Sequence, residues 1–502
     1  MTTPRQTHRP CDDFARTLGL AAGAAGADIM ESAHSSATST FGSEAQPDGL
    51  TQGQLDILRR HAGRGPRYTS YPPANVWTEQ TSDAHLREGL AELCARPAPP
   101  ELSVYVHLPF CPSQCWFCAC NVLITPRTDL QDPYLDGLHK ELDLLRPHLP
   151  TAKTVQLHWG GGSPSYLTPA QMRRLMAMLR NTFALDADAE IALEVDPRIT
   201  TEAHLDTLRD LGFNRLSMGV QDFDKGVQVA IHRKQSLELT ADFVALARSK
   251  GFDSLNMDLI YGLPVQNERS FGETLDAVVG LGPDRVALYG YAHVPWLKPS
   301  QTRIDQAIIP DKDLRFALFH QALRRFGTAG YADIGLDHFA KPTDALTVAR
   351  ANGTLQRNFM GYTTRGGTEL VGVGLSSIGL VGGRFVQNEK KLKSWRAMLD
   401  AGRLPVSHAH ALSDDDKLRA DVISRMMCQG KVDFAQVAMV HGVQWRVALA
   451  ESLQKLEPAR QDGLFFWQGE TLYLTELGKL LVRAVAMQFD AYLGEGGRYS
   501  QI

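Results

Sequence analysis

The chain has 502 residues, of which 43% are hydrophobic and 22% are charged, and its formal net charge is −4. A chain of this length can bury a large core and is expected to divide into two or three units. The weak negative charge gives no basic field for nucleic acid, and no run of about 18 apolar residues predicts a membrane span.

The cysteines outside the main motif indicate the compartment. Cys11, Cys94 and Cys428 are far apart in the sequence, whereas a small secreted domain places its cysteines as a disulfide framework. A soluble protein of the reducing cytoplasm is therefore expected.

The first hundred residues are predicted to form two segments. Residues 1–50 are rich in Ala, Gly, Ser and Thr without a periodic apolar pattern, so a disordered tail is expected. Residues 51–100 are predicted to form an N-terminal arm, with a helix near 52–62 followed by an irregular stretch rich in Gly and Pro. In that stretch Arg67, Tyr68 and Tyr71 can contact a flat anionic ligand, or the arm can simply pack on the surface of the fold.

From residue 101 onward, short apolar runs alternate with helical patterns. Six strand–helix units predict an α/β fold, an open (βα)6 partial TIM-type barrel over 101–370, with a closed eight-unit barrel as the alternative. The predicted strands are 103–109, 154–159, 190–195, 215–220, 254–261 and 285–292. The predicted helices lie near 132–145, 169–182, 202–211, 237–250, 270–281 and 312–327.

Residues 371–502 are predicted to form a mainly helical C-terminal domain. Helices followed by a hairpin at 464–474 resemble a winged-helix unit. The segment has no basic recognition face, so a cover over the barrel mouth is favoured over DNA binding.

Four cysteines, Cys111, Cys115, Cys118 and Cys120, cluster directly after the first predicted strand. A C-x3-C-x2-C spacing lets three thiolates from one loop bind an iron–sulfur cluster, because iron prefers soft sulfur ligands. Three ligands for four irons leave one iron open to a chelating ligand such as S-adenosylmethionine, and the spacing resembles that of the radical SAM enzymes. The alternatives are a chance group of buried cysteines and a zinc site, but no second Cys/His pair of similar spacing occurs.

Polar or glycine-rich segments follow every predicted strand. Parallel strand–helix folds bind their ligands at the carboxyl ends of the strands. Glycines let backbone amides approach a ligand, and acidic or amide side chains suit ribose hydroxyls and amino groups. Each segment alone could be a turn or a helix cap, but together with the cysteine loop they predict one shared site. These segments are 160–164, 194–197, 221–222, Asp258 with 262–264, and 291–293.

Several longer motifs make the chain similar to the oxygen-independent coproporphyrinogen III oxidases, radical SAM enzymes of haem biosynthesis. The motifs are GPRYTSYP at 65–72, CACN at 118–121, MGVQDF at 218–223, DHFA at 337–340 and GYTT at 361–364. The resemblance leaves out residues 1–50. Ser163 and Ser165 stand where threonines are expected, which keeps the hydroxyl group, and residues 499–502 lack an expected arginine.

The resemblance implies a 4Fe–4S cluster and two S-adenosylmethionine molecules. The cluster ligands would be Cys111, Cys115 and Cys118, with Cys120 and Tyr105 as catalytic residues that do not bind iron. The first molecule would contact Tyr105, Gly161, Glu194 and Ile378. The second would contact Phe117, Gly162, Ser163, Gln221, Arg233, Asp258 and Ala292.

The resemblance also implies the reaction and its partners. A 5′-deoxyadenosyl radical would abstract hydrogen from two propionates of coproporphyrinogen III in turn, and loss of carbon dioxide and an electron would leave the vinyl groups of protoporphyrinogen IX. A monomer served by an electron donor such as flavodoxin or ferredoxin is expected. The cationic residues proposed for the propionates are Arg67, Lys234, Arg357 and Arg365.

Two relatives of this family offer alternative functions. A haem chaperone would keep the barrel and three cysteines, and a haem-degrading radical SAM methyltransferase would share much of the loop. Cys120, the arm around Arg67, and Arg233 argue against the chaperone.

Overall fold

The computed structural model describes residues 51–61, 63, 65–98 and 100–494. The predicted disordered tail, 1–50, and the end, 499–502, lie outside the described residues. The chain divides into two units, Met1–Leu55 and Asp56–Ile502. The described part of the first unit is 51–55, and all of the described strands belong to the second unit.

The described elements are named in chain order. The strands are β1 (Thr78–Glu79), β2 (Leu102–Leu108), β3 (Phe110–Cys111), β4 (Leu123–Ile124), β5 (Lys153–Gly161), β6 (Ala184–Val195), β7 (Arg215–Gln221), β8 (Ser254–Tyr261), β9 (Arg285–Gly290), β10 (Ala332–Gly335), β11 (His338–Ala340), β12 (Gln356–Asn358), β13 (Gly361–Thr363), β14 (Glu369–Val373), β15 (Ile378–Val381), β16 (Arg384–Asn388), β17 (Val406–Ala411), β18 (Lys431–Asp433), β19 (Phe465–Gln468) and β20 (Thr471–Leu474). The helices are α1 (Gln52–His61), α2 (Ala84–Ala95), α3 (Gln131–Leu145), α4 (Pro169–Thr182), α5 (Glu202–Asp210), α6 (Lys225–Ala230), α7 (Leu237–Ser249), α8 (Glu268–Leu281), α9 (Lys312–Thr328), α10 (Ala345–Ala351), α11 (Leu392–Asp400), α12 (Asp414–Gln429), α13 (Phe434–His441), α14 (Trp445–Ala448), α15 (Ala450–Lys455), α16 (Glu457–Gln461), α17 (Glu476–Leu480) and α18 (Val482–Ala486).

The predicted open six-unit barrel is confirmed. Strands β2, β5, β6, β7, β8 and β9 are neighbours in that order and pair in parallel, and helices connect them. The full sheet runs from β1 at one edge to β10 at the other without closing, among the residues that the structure describes. The eight-unit closed barrel is therefore wrong.

The sheet continues beyond the predicted barrel strands on both sides. On one side β14 pairs in parallel with β2, and β15, β16, β17 and β1 follow as antiparallel neighbours. On the other side β11 and β10 extend the sheet past β9. The predicted division at residue 370 stays a prediction, and it would fall within β14.

Helix α4 shows why the sequence places helices on the outside of the sheet. Thr168 caps its first turn and forms a capping box with Gln171, while Pro169 occupies a position that needs no donor. The residues buried at helical spacing, Met172, Leu175, Met176 and Leu179, are fully buried. Burying each such side chain stabilises the fold by roughly 1.5 to 3 kcal/mol.

The N-terminal arm packs against the C-terminal part of the same unit. Tyr68 donates a hydrogen bond to Asp490 at 3.0 Å, and the Tyr71 hydroxyl accepts one from the backbone N–H of Ala491 at 2.9 Å. Both tyrosines are buried. They therefore pack within the protein, which was the second of the two alternatives for this arm.

The C-terminal hairpin lies where the sequence predicted it, as β19 and β20, and β18 joins it. No helix among the described residues has both the length and the apolar character needed to cross a membrane.

Candidate active site

The cysteine loop stands at the carboxyl edge of the parallel strands. Backbone hydrogen bonds hold it there: Thr125 N donates to the Cys111 carbonyl, and Trp116 N donates to the Ile231 carbonyl, both at 3.0 Å. These bonds attach the loop to two separate segments of the chain. Its thiols are consequently fixed relative to the strand ends.

One pocket collects most of the predicted site residues. They come from the cysteine loop and from the ends of the next four strands, as expected for parallel strands that end at one edge. The predicted residues that line the pocket are Cys111, Phe117, Cys115, Cys118, Cys120, Gly161, Gly162, Ser163, Glu194, Gln221, Arg233 and Asp258.

The thiols differ in their surroundings. Burial raises the pKa of Cys111 to about 12, and the Ser163 hydroxyl lies 3.6 Å from its sulfur. A hydrogen bond from the Cys120 thiol lowers the pKa of Cys118 to about 7. Among Cys111, Cys118 and Cys120, Cys118 is therefore the thiol that ionises most readily.

The donor set fits an iron–sulfur cluster. Three half-buried thiols from one loop share the pocket, and soft sulfur is the ligand that such clusters need. Within the described ranges no three His, Cys, Asp or Glu side chains stand close enough to hold a single metal ion. A cluster binds each thiolate to a different iron, so its ligands lie farther apart than the ligands of one ion.

The glycine-rich segment brings backbone close to Glu194. The N–H of Gly161 donates to Glu194 Oε2 at 3.1 Å, which fixes the carboxylate at the pocket wall. Gly161 has a φ of 117°, and a Cβ there would lie 2.6 Å from the His107 ring. A Cβ at Gly160 would lie 2.7 Å from Glu194 Oε1. Larger residues would therefore displace the acidic side chain or its neighbours.

Asp258 faces the same pocket from β8. Burial, and to a lesser extent the nearby Glu194 carboxylate, raises its pKa to about 7. Asn256 Nδ2 donates to Asp258 Oδ1 at 2.8 Å and opposes this shift. Two carboxyl groups that repel each other across a pocket favour a ligand with hydroxyl or amino donors between them.

Arg233 and Gln221 offer polar atoms without partners. Arg233 donates to the Gly219 carbonyl at 2.7 Å and to Gln235 Oε1 at 2.9 Å, and its Nη1 lies 3.7 Å from Cys115 Sγ. Its Nε and the Oε1 of Gln221 are buried without a hydrogen-bond partner in the described structure. Since buried polar atoms are nearly always paired, these two atoms fit a polar ligand in the pocket.

Residues 105–278 match the Radical SAM superfamily. Over 447 residues the chain is 42% identical to the oxygen-independent coproporphyrinogen III oxidase of Salmonella typhimurium, covering 89% of this chain and 97% of that protein. The protein of the same name from Escherichia coli K12 is 41% identical with the same coverage. The solved structure of coproporphyrinogen III oxidase from Escherichia coli, a radical SAM enzyme, matches with a TM-score of 0.83 at 40% identity, covering 88% of this chain and 99% of that one. This chain belongs to the oxygen-independent coproporphyrinogen III oxidase family.

Membership in this oxidase family confirms the predicted family and the class of chemistry, a radical SAM oxidoreductase of haem biosynthesis. The curated relatives also match nearly over their whole length. The roles of individual residues stay predictions, although their placement is now visible.

Three predicted residues, Tyr105, Ile378 and Ala292, stand beside the pocket rather than among its lining residues. Tyr105, on β2, pairs in register with Gly372 on β14, and the backbone of Ile378 packs against Gly372. Ala292 is tied to Phe117 because Gln301 Nε2 donates to both carbonyls, at 3.2 and 2.8 Å. All three therefore remain within the neighbourhood of the pocket.

His107 lies beside the pocket, and the sequence analysis missed it. It is buried, and its Nε2 lies 2.9 Å from the Asn121 carbonyl while its Nδ1 lies 3.2 Å from the Tyr105 hydroxyl. Burial lowers its pKa, which favours the neutral form of the ring. The available signal was its position two residues after Tyr105 on one strand, which places both side chains on one face.

The four basic residues proposed for the propionates separate into different places. Arg365 donates to the Asp188 carbonyl, near the amino ends of the strands and opposite to the site, so it is a wrong assignment. Lys234 is exposed beside Arg233. Arg67 and Arg357 lie together, since Arg357 Nη1 donates to the Arg67 carbonyl at 2.5 Å.

Proposed function

We propose that this chain converts two propionates of coproporphyrinogen III to vinyl groups, giving protoporphyrinogen IX by oxidative decarboxylation without oxygen. The observation that carries the proposal is the pocket in which the cysteine loop, the glycine-rich segment, Glu194 and Arg233 meet. It occurs in a chain that covers 97% of a named coproporphyrinogen III oxidase.

Cys111, Cys115 and Cys118 would hold the 4Fe–4S cluster. S-adenosylmethionine bound at that cluster supplies the radical chemistry that no amino-acid side chain provides. Cys120, whose thiol hydrogen-bonds to Cys118, would remain off the iron and act in catalysis. The Lys298 ammonium donates to the Cys120 carbonyl at 3.2 Å, which helps to hold this end of the loop.

The first S-adenosylmethionine would be held by Tyr105, Gly161, Glu194 and Ile378. Glu194 is already oriented by the Gly161 N–H, so its carboxylate can accept from a ligand amino group without reorganisation. The neutral His107 accepts from Tyr105 and keeps the phenol in place. These contacts position the ligand beside the cysteine loop.

The second S-adenosylmethionine would be held by Phe117, Gly162, Ser163, Gln221, Arg233, Asp258 and Ala292. Arg233 Nε and Gln221 Oε1 are the two buried atoms that lack partners, and a ligand carboxylate and amino group would satisfy them. Asp258, protonated or ionised near neutral pH, can contact ribose hydroxyls.

Coproporphyrinogen III is the proposed substrate, and flavodoxin or ferredoxin the proposed electron donor. A monomer in the cytoplasm, with an N-terminal arm and a C-terminal domain covering the barrel, is proposed as well. The burial of the arm tyrosines against residues 490–491 supports the cover.

An anaerobic assay tests this function. The reconstituted protein, S-adenosylmethionine and a reductant are incubated with coproporphyrinogen III, and the products are separated after oxidation to porphyrins. We expect protoporphyrin and two carbon dioxide molecules per substrate, with none from a Cys118→Ala protein. Tight haem binding without any decarboxylation would support the chaperone and refute the oxidase.

A further inference from the structure

Three arginines meet beside β9 and the turn between β10 and β11. Arg67 comes from the N-terminal arm, Arg357 from β12 and Arg483 from α18; they are called the arginine cluster below. The Tyr289 ring lies under the Arg67 guanidinium, with 5.3 Å between the guanidinium carbon and the ring centroid. Asp258 and Asp337 both act on the Tyr289 hydroxyl, which burial and these charges shift to a higher pKa. Asp258 on β8 pairs in register with Ala287 on β9, two residues before Tyr289, so Asp258 and Tyr289 lie on the same face of neighbouring strands.

The cluster has more positive than negative charge. Arg67 forms an ion pair with Asp337, which is 4% exposed. Arg357 and Arg483 have no carboxylate partner in the described part of the chain, so two positive charges are left uncompensated. Burial, and to a lesser extent the neighbouring Arg67 charge, lowers the pKa of Arg483 to about 10.

The two arginines without a carboxylate partner, Arg357 and Arg483, donate hydrogen bonds to neutral backbone carbonyl groups. Arg483, 7% exposed, donates to the carbonyls of Gly65 and Pro66, and Arg357 donates to that of Arg67. These bonds hold the arm but do not neutralise the cations. Arg357 Nε is buried without any partner in the described structure. Buried charges in proteins are normally paired, so the cluster requires an anion.

The surroundings select the kind of anion. The Arg67 side chain keeps 30% of its surface exposed, so a ligand can reach it. Tyr289 and Tyr362 lie against Arg67 and Arg357, and His338 stands between the two tyrosine rings at centroid distances of 5.8 and 5.1 Å. An aromatic wall next to guanidinium groups suits a flat apolar molecule that carries carboxylates at its rim.

We propose that the arginine cluster binds propionate carboxylates of the substrate, with Arg67 and Arg357 in contact and Arg483 as a positioning residue that holds the arm. This inference rests on the proposed function. Arg483 and Asp337 then belong to the substrate site, whereas Arg365 and the exposed Lys234 do not.

The test measures equilibrium binding of coproporphyrin III, an air-stable tetracarboxylate, to the reconstituted full chain by fluorescence titration. Its tetramethyl ester has the same ring without the charges. We expect the wild type to bind the free acid at least tenfold more tightly than the ester, and Arg357→Gln to lose about tenfold for the acid only. Arg365→Gln, an arginine at the opposite end of the strands, serves as the control and should bind both like the wild type.

Equal wild-type affinities for acid and ester would overturn the inference, and this measurement depends on no variant folding. An equal loss for both ligands in Arg357→Gln would also overturn it, because that result means that Arg357 does not act on the carboxylates. If Arg483→Gln weakens acid binding while Arg483→Lys restores it, the positioning role is supported. If the wild type converts coproporphyrinogen III but Arg357→Gln binds the free acid as tightly as the wild type, the role of the arginine cluster is refuted and the proposed function is not. Charge-dependent binding without conversion would refute the proposed function alone.

Discussion

The Tyr105 hydroxyl donates a hydrogen bond to His107 Nδ1 at 3.2 Å because the other ring nitrogen, Nε2, already faces the Asn121 carbonyl at 2.9 Å. A carbonyl can only accept, so Nε2 carries the proton and Nδ1 must be the acceptor. One neutral imidazole therefore links the proposed first S-adenosylmethionine site to the end of the cysteine loop.

Replacing His107 separates these two bonds. His107→Leu removes both, and losing a buried hydrogen bond of this kind should lower kcat/KM about tenfold or more. His107→Gln can retain the donor to Asn121 and should keep more activity. Cluster absorbance measured in both proteins distinguishes a loss of Tyr105 orientation from a loss of the loop, and wild-type turnover by His107→Leu would contradict the role.

The cysteines are tested by single alanine variants reconstituted without oxygen. We expect no cluster in Cys111→Ala, Cys115→Ala or Cys118→Ala. A 4Fe–4S cluster with one open iron has only three cysteine ligands, and each of these variants removes one of them. Cys120→Ala should keep the cluster yet lose turnover. Iron and sulfide content together with the visible spectrum decide, and a cluster that survives in Cys118→Ala but not in Cys120→Ala would reverse the assignment.

Arg233 is predicted to hold the second S-adenosylmethionine and not the cluster. Arg233→Gln removes a charge-assisted hydrogen bond worth roughly 1.5 to 3 kcal/mol, which weakens that site tenfold or more. Binding stoichiometry by equilibrium dialysis should fall from two molecules toward one while the cluster remains. Lys234→Gln, the exposed neighbour, is the matched control, and two molecules bound tightly by Arg233→Gln would show that the site is misassigned.

Much of this site could be predicted from the sequence because its parts are local. The cysteine loop lies within ten residues, and each strand end adds one short motif whose position follows from the parallel topology. Strands β2 and β5 to β9 were visible for the same reason, since each has its own apolar run. Local sequence patterns were therefore enough to predict a part of the site wherever a single segment supplies the functional groups.

The remaining features depend on contacts between distant segments. Glu369 in β14 pairs with Leu102 in β2, and no periodicity in either segment predicts that partner. Tyr68 and Tyr71 have residue types that suit a ligand, yet Asp490 and the Ala491 backbone bind them instead. Arg67 and Arg365 are equivalent as isolated cations, and only the fold distinguishes their positions.

The ion pair between Arg67 and Asp337 makes stability depend on pH in a defined direction. Burial alone would raise the pKa of Asp337, but Arg67 and His338 hold it well below its usual value. The folded state therefore binds fewer protons than the unfolded state at acidic pH. The pair stabilises the fold above the unfolded pKa of about 3.9, and this contribution is lost as the pH falls through the lower folded pKa.

Asp337→Asn should consequently lower the free energy of unfolding at neutral pH, and it should lower it by less in acid. We expect a loss of about 2 kcal/mol at pH 7, below the cost of breaking a fully buried pair because the Arg67 side chain is 30% exposed. The difference in stability from the wild type should narrow as the pH falls below about 4, where the Asp337 carboxylate of the unfolded wild-type chain begins to protonate while that of the folded chain is still ionised. Urea denaturation of both proteins at pH 7, 5 and 3 measures the difference in their free energies of unfolding. A difference that stays constant over this range would mean that Asp337 contributes through packing, and that its charge does not compensate Arg67.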